Sequence, residues 1–134
     1  MPADPVKILR EARTVAVLGM KGDDQPDAPA SRIPQYLRAN GYEITPVNPS
    51  LARQGYPGAV ATLAEVSPPP DVVQVFRSGD ALPRHLDELR ALRPGAVWLQ
   101  PGAENAEVAR QLEEAGIPVV QGECMYALHR RLLA

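Results

Sequence analysis

Short apolar runs alternate with longer amphipathic stretches along the whole chain, and this alternation constrains the fold more than any other feature of the sequence. The short runs have the length and character of strands that are buried on both faces, and the longer stretches have helical spacing. Strands that alternate with helices form a parallel sheet. The predicted strands are Thr14–Leu18, Tyr42–Val47, Asp71–Phe76, Ala96–Leu99 and Ile117–Val120.

The predicted order of elements indicates one α/β domain that covers residues 1–134. Right-handed crossovers between parallel strands place helices on both faces of the sheet, which is the arrangement of a doubly wound, Rossmann-like domain. We expect a mostly parallel sheet of about five or six strands. Pro46 weakens the prediction of the second strand, because proline lacks the backbone donor that a sheet uses. The segment Gly55–Leu63 is ambiguous and fits a very short strand and one helical turn.

Helix boundaries are predicted from capping residues. Asp4 and Pro5 have the pattern of an N-cap and a first turn. Ser31 is the predicted N-cap of a helix that ends at Asn40, and Asp80 is the predicted N-cap of a helix with leucines along one face. The remaining predicted helices are Glu104–Ala115 and Met125–Leu133.

Composition and charge exclude several classes of protein. With 45% hydrophobic residues the chain is not expected to be disordered. A net charge of -2 excludes a strongly basic surface for binding nucleic acid. Cys124 is the one cysteine, which excludes an internal disulfide and is too few for a zinc site. No apolar run approaches the roughly 20 residues of a membrane span, and Met1–Arg13 lacks the apolar core of a signal peptide. We therefore expect a soluble cytoplasmic protein that binds neither nucleic acid nor membranes.

The carboxyl ends of the predicted strands are the expected ligand-binding edge, because ligands of open α/β sheets bind there, near the point where the strand order reverses. Gly19 directly follows the first strand and lets a ligand approach the backbone. The next helix offers its amino terminus near Ser31 and Arg32, and Lys21 adds positive charge. These features favour a phosphate group over the simpler alternative of a glycine turn with solvated charges. The segments expected at this edge are Gly19–Lys21, Asn48–Pro49, Phe76–Arg77, Gln100–Gly102 and Gly122–Glu123.

The glycine spacing argues against a dinucleotide site. An NAD-binding turn needs G-x-G-x-x-G after the first strand and an acidic residue after the second. This chain has the run Gly19–Gly22 and the pair Asn48–Pro49 at these two places. Arg53, which follows soon after, would suit a phosphate on the ribose. The first strand also lacks the terminal acids of a receiver-type metal site, and no G-x-x-x-x-G-K-[ST] phosphate loop is present.

Few residues are candidates for catalysis. Cys124 and His129 are five positions apart, a spacing that does not place them on one helix face, and a nucleophile and its base need direct contact. His85 lies among charged neighbours and is expected to be solvated. His129 is followed by two arginines, so the pattern indicates the basic carboxyl end of a helix. Glu123 is a lone acid near a strand end, so catalysis is not expected, although the sequence leaves it open.

Five segments, each on a predicted strand or near its end, occur in a characteristic order. They are Thr14–Gly19, Gly41–Tyr42 followed by Pro46–Pro49, Asp71–Arg77, Val97–Gly102 and Cys124–His129. Together they resemble the small stand-alone CoA-binding domain proteins, which are similar to the CoA-binding Rossmann domain of the succinyl-CoA synthetase alpha subunit. The resemblance covers the chain from about Pro5 to Leu133, and the order of the five segments is more specific than any one of them.

The resemblance implies a parallel Rossmann-like sheet and a ligand, coenzyme A or an acyl-CoA. It implies that Gly19, Met20 and Lys21 meet the pyrophosphate and that Ser31 and Arg32 support it from the start of a helix. It implies that the adenosine side is lined by Val47, Asn48 and Pro49, and that the ribose 3′-phosphate is held by Arg53. It also implies that Phe76 and Arg77 border the adenine or the pantetheine arm. The exit of that arm would lie by Gln100, Pro101 and Gly102.

The same resemblance limits what can be transferred. The synthetases carry their phosphorylated histidine in a second domain, and neither His85 nor His129 corresponds to it, so ligase activity is not implied. Relatives tend to have an acid before the histidine of the last motif, where this chain has Leu128. The loop from Gly22 to Ala30 brings three aspartates near the expected polyphosphate, where they either repel it or lie in solvent.

Three functional hypotheses are compatible with these features. The first is non-catalytic binding of coenzyme A or an acyl-CoA at the carboxyl edge of the sheet. The second is an NAD(P)-binding oxidoreductase-like domain, which only the fold supports. The third is a domain that has kept the fold, lost the ligand and binds a partner. The sequence does not distinguish free CoA from acyl-CoA, and it does not identify a protein partner, a pathway or an oligomeric state.

Overall fold

A computed structural model describes residues 3–133 of the chain. Within this range the chain forms a five-stranded, all-parallel sheet with the strand order β2-β1-β3-β4-β5. This confirms the predicted α/β, doubly wound fold, with five of the expected five or six strands among the described residues. The strands are β1 (Thr14–Leu18), β2 (Glu43–Val47), β3 (Val72–Val75), β4 (Ala96–Leu99) and β5 (Val119–Val120).

The strand order reverses between β1 and β3. From β1 the chain first builds β2 on one side and then crosses to the other side, where it adds β3, β4 and β5. The last residue of β1, Leu18, lies beside Val47 of β2 and Val75 of β3. The carboxyl ends of these three strands therefore meet at one edge, and the switch point for ligand binding lies between β1 and β3.

Helices connect the strands and cover both faces of the sheet. In residues 3–133 the longest helix has 11 residues, and no helix is long and apolar enough to cross a membrane. The helices are α1 (Pro5–Glu11), α2 (Pro29–Ala39), α3 (Pro49–Arg53), α4 (Leu86–Leu92), α5 (Ala106–Glu114) and α6 (Met125–Leu132).

Alternate residues of each strand enter two separate cores, because successive side chains of a strand point to opposite faces. In β1, Val15 and Val17 face a core that α1, α2, α3 and α6 cover. Ala16 and Leu18 face a second core, which α4 and α5 cover. Trp98 of β4 is wholly buried in the first core. The apolar character of the strands thus reflects burial on both faces.

Several boundaries differ from the predicted ones. Asp4 caps α1 as expected, since its carboxylate accepts the Lys7 N–H at 3.1 Å. The prediction that Ser31 caps α2 is wrong: the helix begins at Pro29, and Ser31 is buried in its first turn. The prediction that Asp80 caps a helix is also wrong, because a 3-10 turn separates Asp80 from α4. Ser31 does not cap α2 because Pro29, two positions earlier, already starts the helix.

The region around β2 contains a helix that the sequence analysis missed. Asn48 ends β2 and at the same time caps α3, and its Oδ1 accepts the N–H groups of Ser50 and Leu51 at 2.8 and 3.3 Å. The ambiguous segment contributes a single parallel bridge from Val60 to Val47, and a 3-10 turn follows it. Pro46 is accommodated because β2 lies at the edge of the five-stranded sheet.

Candidate functional site

Gly19 brings the loop after β1 close to the loop after β3. Its φ angle is +86°, in the left-handed region that favours glycine. A Cβ atom at this position would lie 3.1 Å from the Phe76 carbonyl oxygen and 3.5 Å from Arg77 Cδ. The Gly19 N–H donates to the Val47 carbonyl at 3.0 Å, and the Phe76 N–H donates to the Leu18 carbonyl at 2.9 Å. The ends of three strands are therefore held together at the switch point.

A cleft of about 350 Å³ opens at this edge of the sheet. Its walls come from the segment between β1 and α2, from the loop after β3 and from the loop after β4. Five of the residues predicted from the sequence line it: Lys21, Phe76, Arg77, Pro101 and Gly102. The structure adds six lining residues that the sequence analysis did not name: Ala28, Pro29, Ala30, Val75, Ser78 and Ala103.

Lys21 and Arg77 supply positive charge to the cleft. In the part of the chain that the structure describes, neither side chain forms an ion pair with a carboxylate. Arg77 is half-buried, and its Nε is fully buried without a hydrogen-bond partner among the described residues. A buried guanidinium nitrogen without a partner destabilises the folded chain.

The loop between Lys21 and α2 is closed by its own hydrogen bonds. The Lys21 N–H donates to the Ala30 carbonyl at 3.0 Å, and the Ser31 hydroxyl donates to the Gly22 carbonyl at 3.2 Å. The three aspartates of this loop are exposed and do not line the cleft. Of the two alternatives that the sequence left open, the structure therefore favours the one in which these acids lie in solvent.

Two of the residues predicted at the ligand edge are buried beneath it. Met20 is wholly buried in the core that α2 and α6 cover. Gln100 is 3% exposed, and its Oε1 accepts the Met125 N–H at 2.9 Å. Its Nε2 donates to Cys124 Sγ at 3.3 Å. Gln100 therefore joins the end of β4 to the start of α6.

Another group of predicted residues lies on the β2 side of the edge. The Asn48 side chain caps α3 and also donates from Nδ2 to the Met20 carbonyl at 2.8 Å, which ties α3 to the loop after β1. Arg53 is exposed in the last turn of α3. Four residues of this group stay outside the lining of the cleft: Val47, Asn48, Pro49 and Arg53.

Arg32 contacts α6. Its guanidinium carbon lies 5.2 Å from the centre of the Tyr126 ring, within the range of a cation–π interaction. Arg130 approaches the same ring at 5.9 Å and donates from Nη1 to the Tyr126 hydroxyl at 2.7 Å. Arg32 is accordingly absent from the lining of the cleft.

The lining residues that the sequence analysis missed come from the start of α2 and from the loops after β3 and β4. Pro29 is the first residue of α2, and Ala28 precedes it. A proline at a helix start is itself a sequence signal, so a helix placed at Pro29 would have brought these residues to the edge. The contribution of Ser78 and Ala103 depends on loop geometry and carries no comparable signal.

The candidate catalytic residues lie outside the cleft. The imidazole of His85 is only partly exposed, since Nδ1 lies 2.9 Å from Glu88 Oε2. His129 is 6% exposed, and its Nδ1 lies 2.7 Å from the Tyr36 hydroxyl. Burial lowers the pKa of His129. The prediction that His129 belongs to the basic carboxyl end of a helix is confirmed, because it lies with Arg130 and Arg131 in the last turn of α6. No cluster of three or more His, Cys, Asp or Glu side chains in residues 3–133 could hold a metal ion.

Comparison with solved structures supports the fold. A Thermus thermophilus protein described as cell-free ID.343 is 44% identical, with a TM-score of 0.88, and the match covers 98% of this chain and 100% of that one. The dinucleotide forming acetyl-coenzyme A synthetase 1 of Candidatus Korarchaeum cryptofilum is 19% identical, with a TM-score of 0.70. That match covers 88% of this chain and 27% of the synthetase, and at this identity it shows a shared fold.

Comparison of sequences identifies the family. The uncharacterized protein YneT of Bacillus subtilis (strain 168) is 32% identical over 127 residues, which cover 95% of this chain and 93% of that protein. A family model described as a CoA binding domain matches residues 13–130, which include β1 to β5 and the residues that line the cleft. The match confirms the resemblance that the five ordered segments indicated. The chain belongs to the CoA binding domain family.

Proposed function

We propose that this protein binds coenzyme A or an acyl-CoA in the cleft at the carboxyl edge of the sheet, without a catalytic reaction of its own. The observation that carries the proposal is the unpaired cationic pair of Lys21 and Arg77 at the β1–β3 switch point. Membership of the CoA binding domain family supports the choice of ligand. The proposal explains why a chain with a net charge of -2 keeps two cations without acidic partners at this edge.

The charges of the cleft match the pyrophosphate of coenzyme A. Arg77 presents a planar guanidinium whose Nε is without a partner in residues 3–133, and such a group recognises phosphate oxygens through paired hydrogen bonds. Lys21 adds a second cation, and α2 begins at Pro29 in the wall of the cleft. The amino terminus of a helix favours negative charge. Three features of the cleft thus favour the same anionic group.

The remaining walls suit the uncharged parts of the ligand. Pro29, Phe76 and Pro101 provide apolar surface, and Gly102 leaves its side open because no atom lies within 4 Å of where a Cβ would be. A volume of about 350 Å³ is at the small end of ligand pockets, so part of a molecule as long as coenzyme A has to lie outside it. The exposed β2 side, with Arg53, is the surface that we propose for the adenosine 3′-phosphate.

The lining of the cleft supports binding without catalysis. Ser78 is its one hydroxyl-bearing residue, and none of the lining residues is a histidine, aspartate or glutamate that could act as a base. A serine nucleophile needs such a base within hydrogen-bond distance. Cys124 does not line the cleft, and its Sγ accepts a hydrogen bond from Gln100.

Isothermal titration of the purified protein with coenzyme A tests the proposal. Arg77→Gln removes the half-buried cation of the cleft, and we expect it to weaken binding at least about tenfold, since a charge-assisted hydrogen bond contributes roughly 1.5–3 kcal/mol. Lys21→Gln should weaken binding less, because Lys21 is exposed. Arg84→Gln is the matched control: it removes an exposed arginine of the 3-10 turn outside the cleft and should leave the affinity unchanged.

Two further titrations separate the alternatives. Dephospho-CoA should bind more weakly than coenzyme A, and Arg53→Gln should abolish that difference if Arg53 holds the 3′-phosphate. Tighter binding of NADP than of coenzyme A would replace the proposal with the dinucleotide alternative. Absence of binding of coenzyme A, acetyl-CoA and NADP by the folded protein would favour a domain that has lost its ligand.

A further inference from the structure

A second cavity lies at the opposite edge of the sheet. It has a volume of about 250 Å³ and is formed where the carboxyl ends of α1, α2 and α6 meet. Arg13 and Tyr42, which line it, stand just before β1 and β2, so it adjoins the amino ends of the strands. Because β1 has five residues, the cavity is separated from the cleft by roughly 15 Å. The two sites therefore share no residues.

His129 lines this cavity and is 94% buried, since only 6% of it is exposed. Its Nδ1 is paired with the Tyr36 hydroxyl at 2.7 Å, whereas its Nε2 has no hydrogen-bond partner among residues 3–133. Nε2 is therefore the imidazole atom that is left for a ligand in the cavity that His129 lines.

Positive charge surrounds the same cavity. Arg10 and Arg13 both line it, and within residues 3–133 neither side chain forms an ion pair. None of the lining residues is an aspartate or a glutamate. The Tyr42 hydroxyl, which also lines the cavity, already donates to the Leu9 carbonyl. The side chains that remain available to a ligand therefore include two guanidinium groups and one imidazole nitrogen.

We propose that this cavity is a second anion site, in which Arg10, Arg13 and His129 bind one small oxyanion, a carboxylate or a phosphate group. With the Tyr36 hydroxyl donating to Nδ1, the neutral imidazole carries its proton on Nε2 and donates it to the anion. The two arginines supply the counter-charge. The carboxyl ends of three helices bring partial negative charge to the same place, which weakens the attraction, so the expected affinity is in the millimolar range.

Binding should be coupled to protonation of His129. Burial lowers the pKa of this imidazole, and its neighbours are the rings of Tyr36 and Tyr42 and, across the cavity, Arg10 and Arg13. Each of these neighbours is either neutral or cationic near pH 7. Among residues 3–133 no carboxylate lines the cavity, so an oxyanion there would bring a negative charge beside the imidazole and would stabilise its protonated form.

The test follows the two histidine side chains by NMR during a titration with inorganic phosphate, with sodium chloride adjusted to hold ionic strength constant. We expect the pKa of His129 to rise by about half a unit, which corresponds to roughly threefold tighter binding of phosphate by the imidazolium form. His85, which pairs with Glu88 outside the cavity, is the internal control and should not respond. Acetate in place of phosphate shows whether the site accepts both kinds of oxyanion.

Variants of the exposed arginines decide the assignment without disturbing the core. The double variant Arg10→Gln, Arg13→Gln should abolish the phosphate-dependent rise, and the control Arg38→Gln, an exposed arginine of α2 outside the cavity, should keep it. The proposal is overturned if phosphate and acetate leave His129 unchanged, if the rise persists in the double variant, or if His85 shifts equally. Affinity for coenzyme A should be the same in the double variant and the wild type, so this test is independent of the proposed function.

Discussion

Replacement of Gln74 by methionine should stabilise the protein. Gln74 lies in the middle of β3, between Val17 of β1 and Trp98 of β4, and it is wholly buried. Neither its Oε1 nor its Nε2 has a hydrogen-bond partner among residues 3–133. An unsatisfied buried polar group costs about 1–3 kcal/mol of folding free energy. Methionine keeps the length and nearly the volume of glutamine and removes both polar atoms, so we expect Gln74→Met to raise the free energy of unfolding by about 1–3 kcal/mol.

Gln100 provides a matched control of opposite sign. It is also a buried glutamine, 3% exposed, but both ends of its amide are bonded. Gln100→Met would leave the buried Met125 N–H without its acceptor and should lower the free energy of unfolding by about 1–3 kcal/mol. Both variants can be measured by urea denaturation and by thermal unfolding, where each kcal/mol corresponds to about 3–5 °C in a domain of this length.

Equal destabilisation by the two substitutions would refute this prediction. If Gln74→Met lowers the free energy of unfolding as much as Gln100→Met does, the Gln74 amide is hydrogen-bonded in the folded protein in solution. A change in the denaturant m-value would instead indicate a change in compactness. Coenzyme A affinity should stay at the wild-type value for Gln74→Met, because Gln74 does not line the cleft.

Three further predictions concern the edges of the sheet. Asn48→Ala removes the N-cap of α3 and the hydrogen bond to the Met20 carbonyl, so it should lower the free energy of unfolding by about 1–2 kcal/mol. Urea denaturation measures this change, and an unchanged free energy of unfolding would show that the cap is dispensable. Gly19→Ala should destabilise the protein by about 1–3 kcal/mol and more than Gly55→Ala does, because both positions have positive φ but only Gly19 has backbone within 3.1 Å. Asp71 accepts the Arg13 N–H, which lowers the pKa of its carboxyl from the usual 3.8. Its contribution is therefore present above about pH 4 and lost as the pH falls through the lower folded pKa, so wild type should lose stability in acid more steeply than Asp71→Asn in pH-dependent unfolding curves.

The strands could be predicted from the sequence because their burial on both faces leaves a continuous apolar run, which few other structures produce. Helix starts were less predictable, because several residue types compete for the same role. Ser31 and Pro29 are both start signals, and the Ser31 hydroxyl bonds to the Gly22 carbonyl instead of capping α2. The pair Asn48–Pro49 fits the end of a strand and the start of a helix equally well. In the structure it does both, because it follows β2 directly and begins α3.

The edge of the sheet at which the cleft lies could also be predicted, since it follows from the fold, but which side chains line the cleft could not. Lys21 and Arg77 reach the cleft, whereas Gln100 turns back to hold α6. His129 shows the same limit at the other edge. Its basic neighbours in the sequence indicated the carboxyl end of a helix, where it lies, but they did not indicate its burial against Tyr36. Such contacts join residues far apart in the sequence and leave no local pattern.

Net charge is a poor guide to what this chain binds, because its cations and anions are distributed unequally. The acids of the loop before α2 are exposed, and Glu107 and Glu114 of α5 pair with Arg110 on the surface. At both ends of the sheet, by contrast, arginines line cavities whose walls contain no acid: Arg77 at the carboxyl edge, and Arg10 and Arg13 at the amino edge. A cation in a partly enclosed site acts more strongly on an anion than several do in solvent. A weakly acidic net charge is therefore compatible with both of the anion sites that we propose. Salt should weaken binding at the exposed Lys21 more than at the half-buried Arg77.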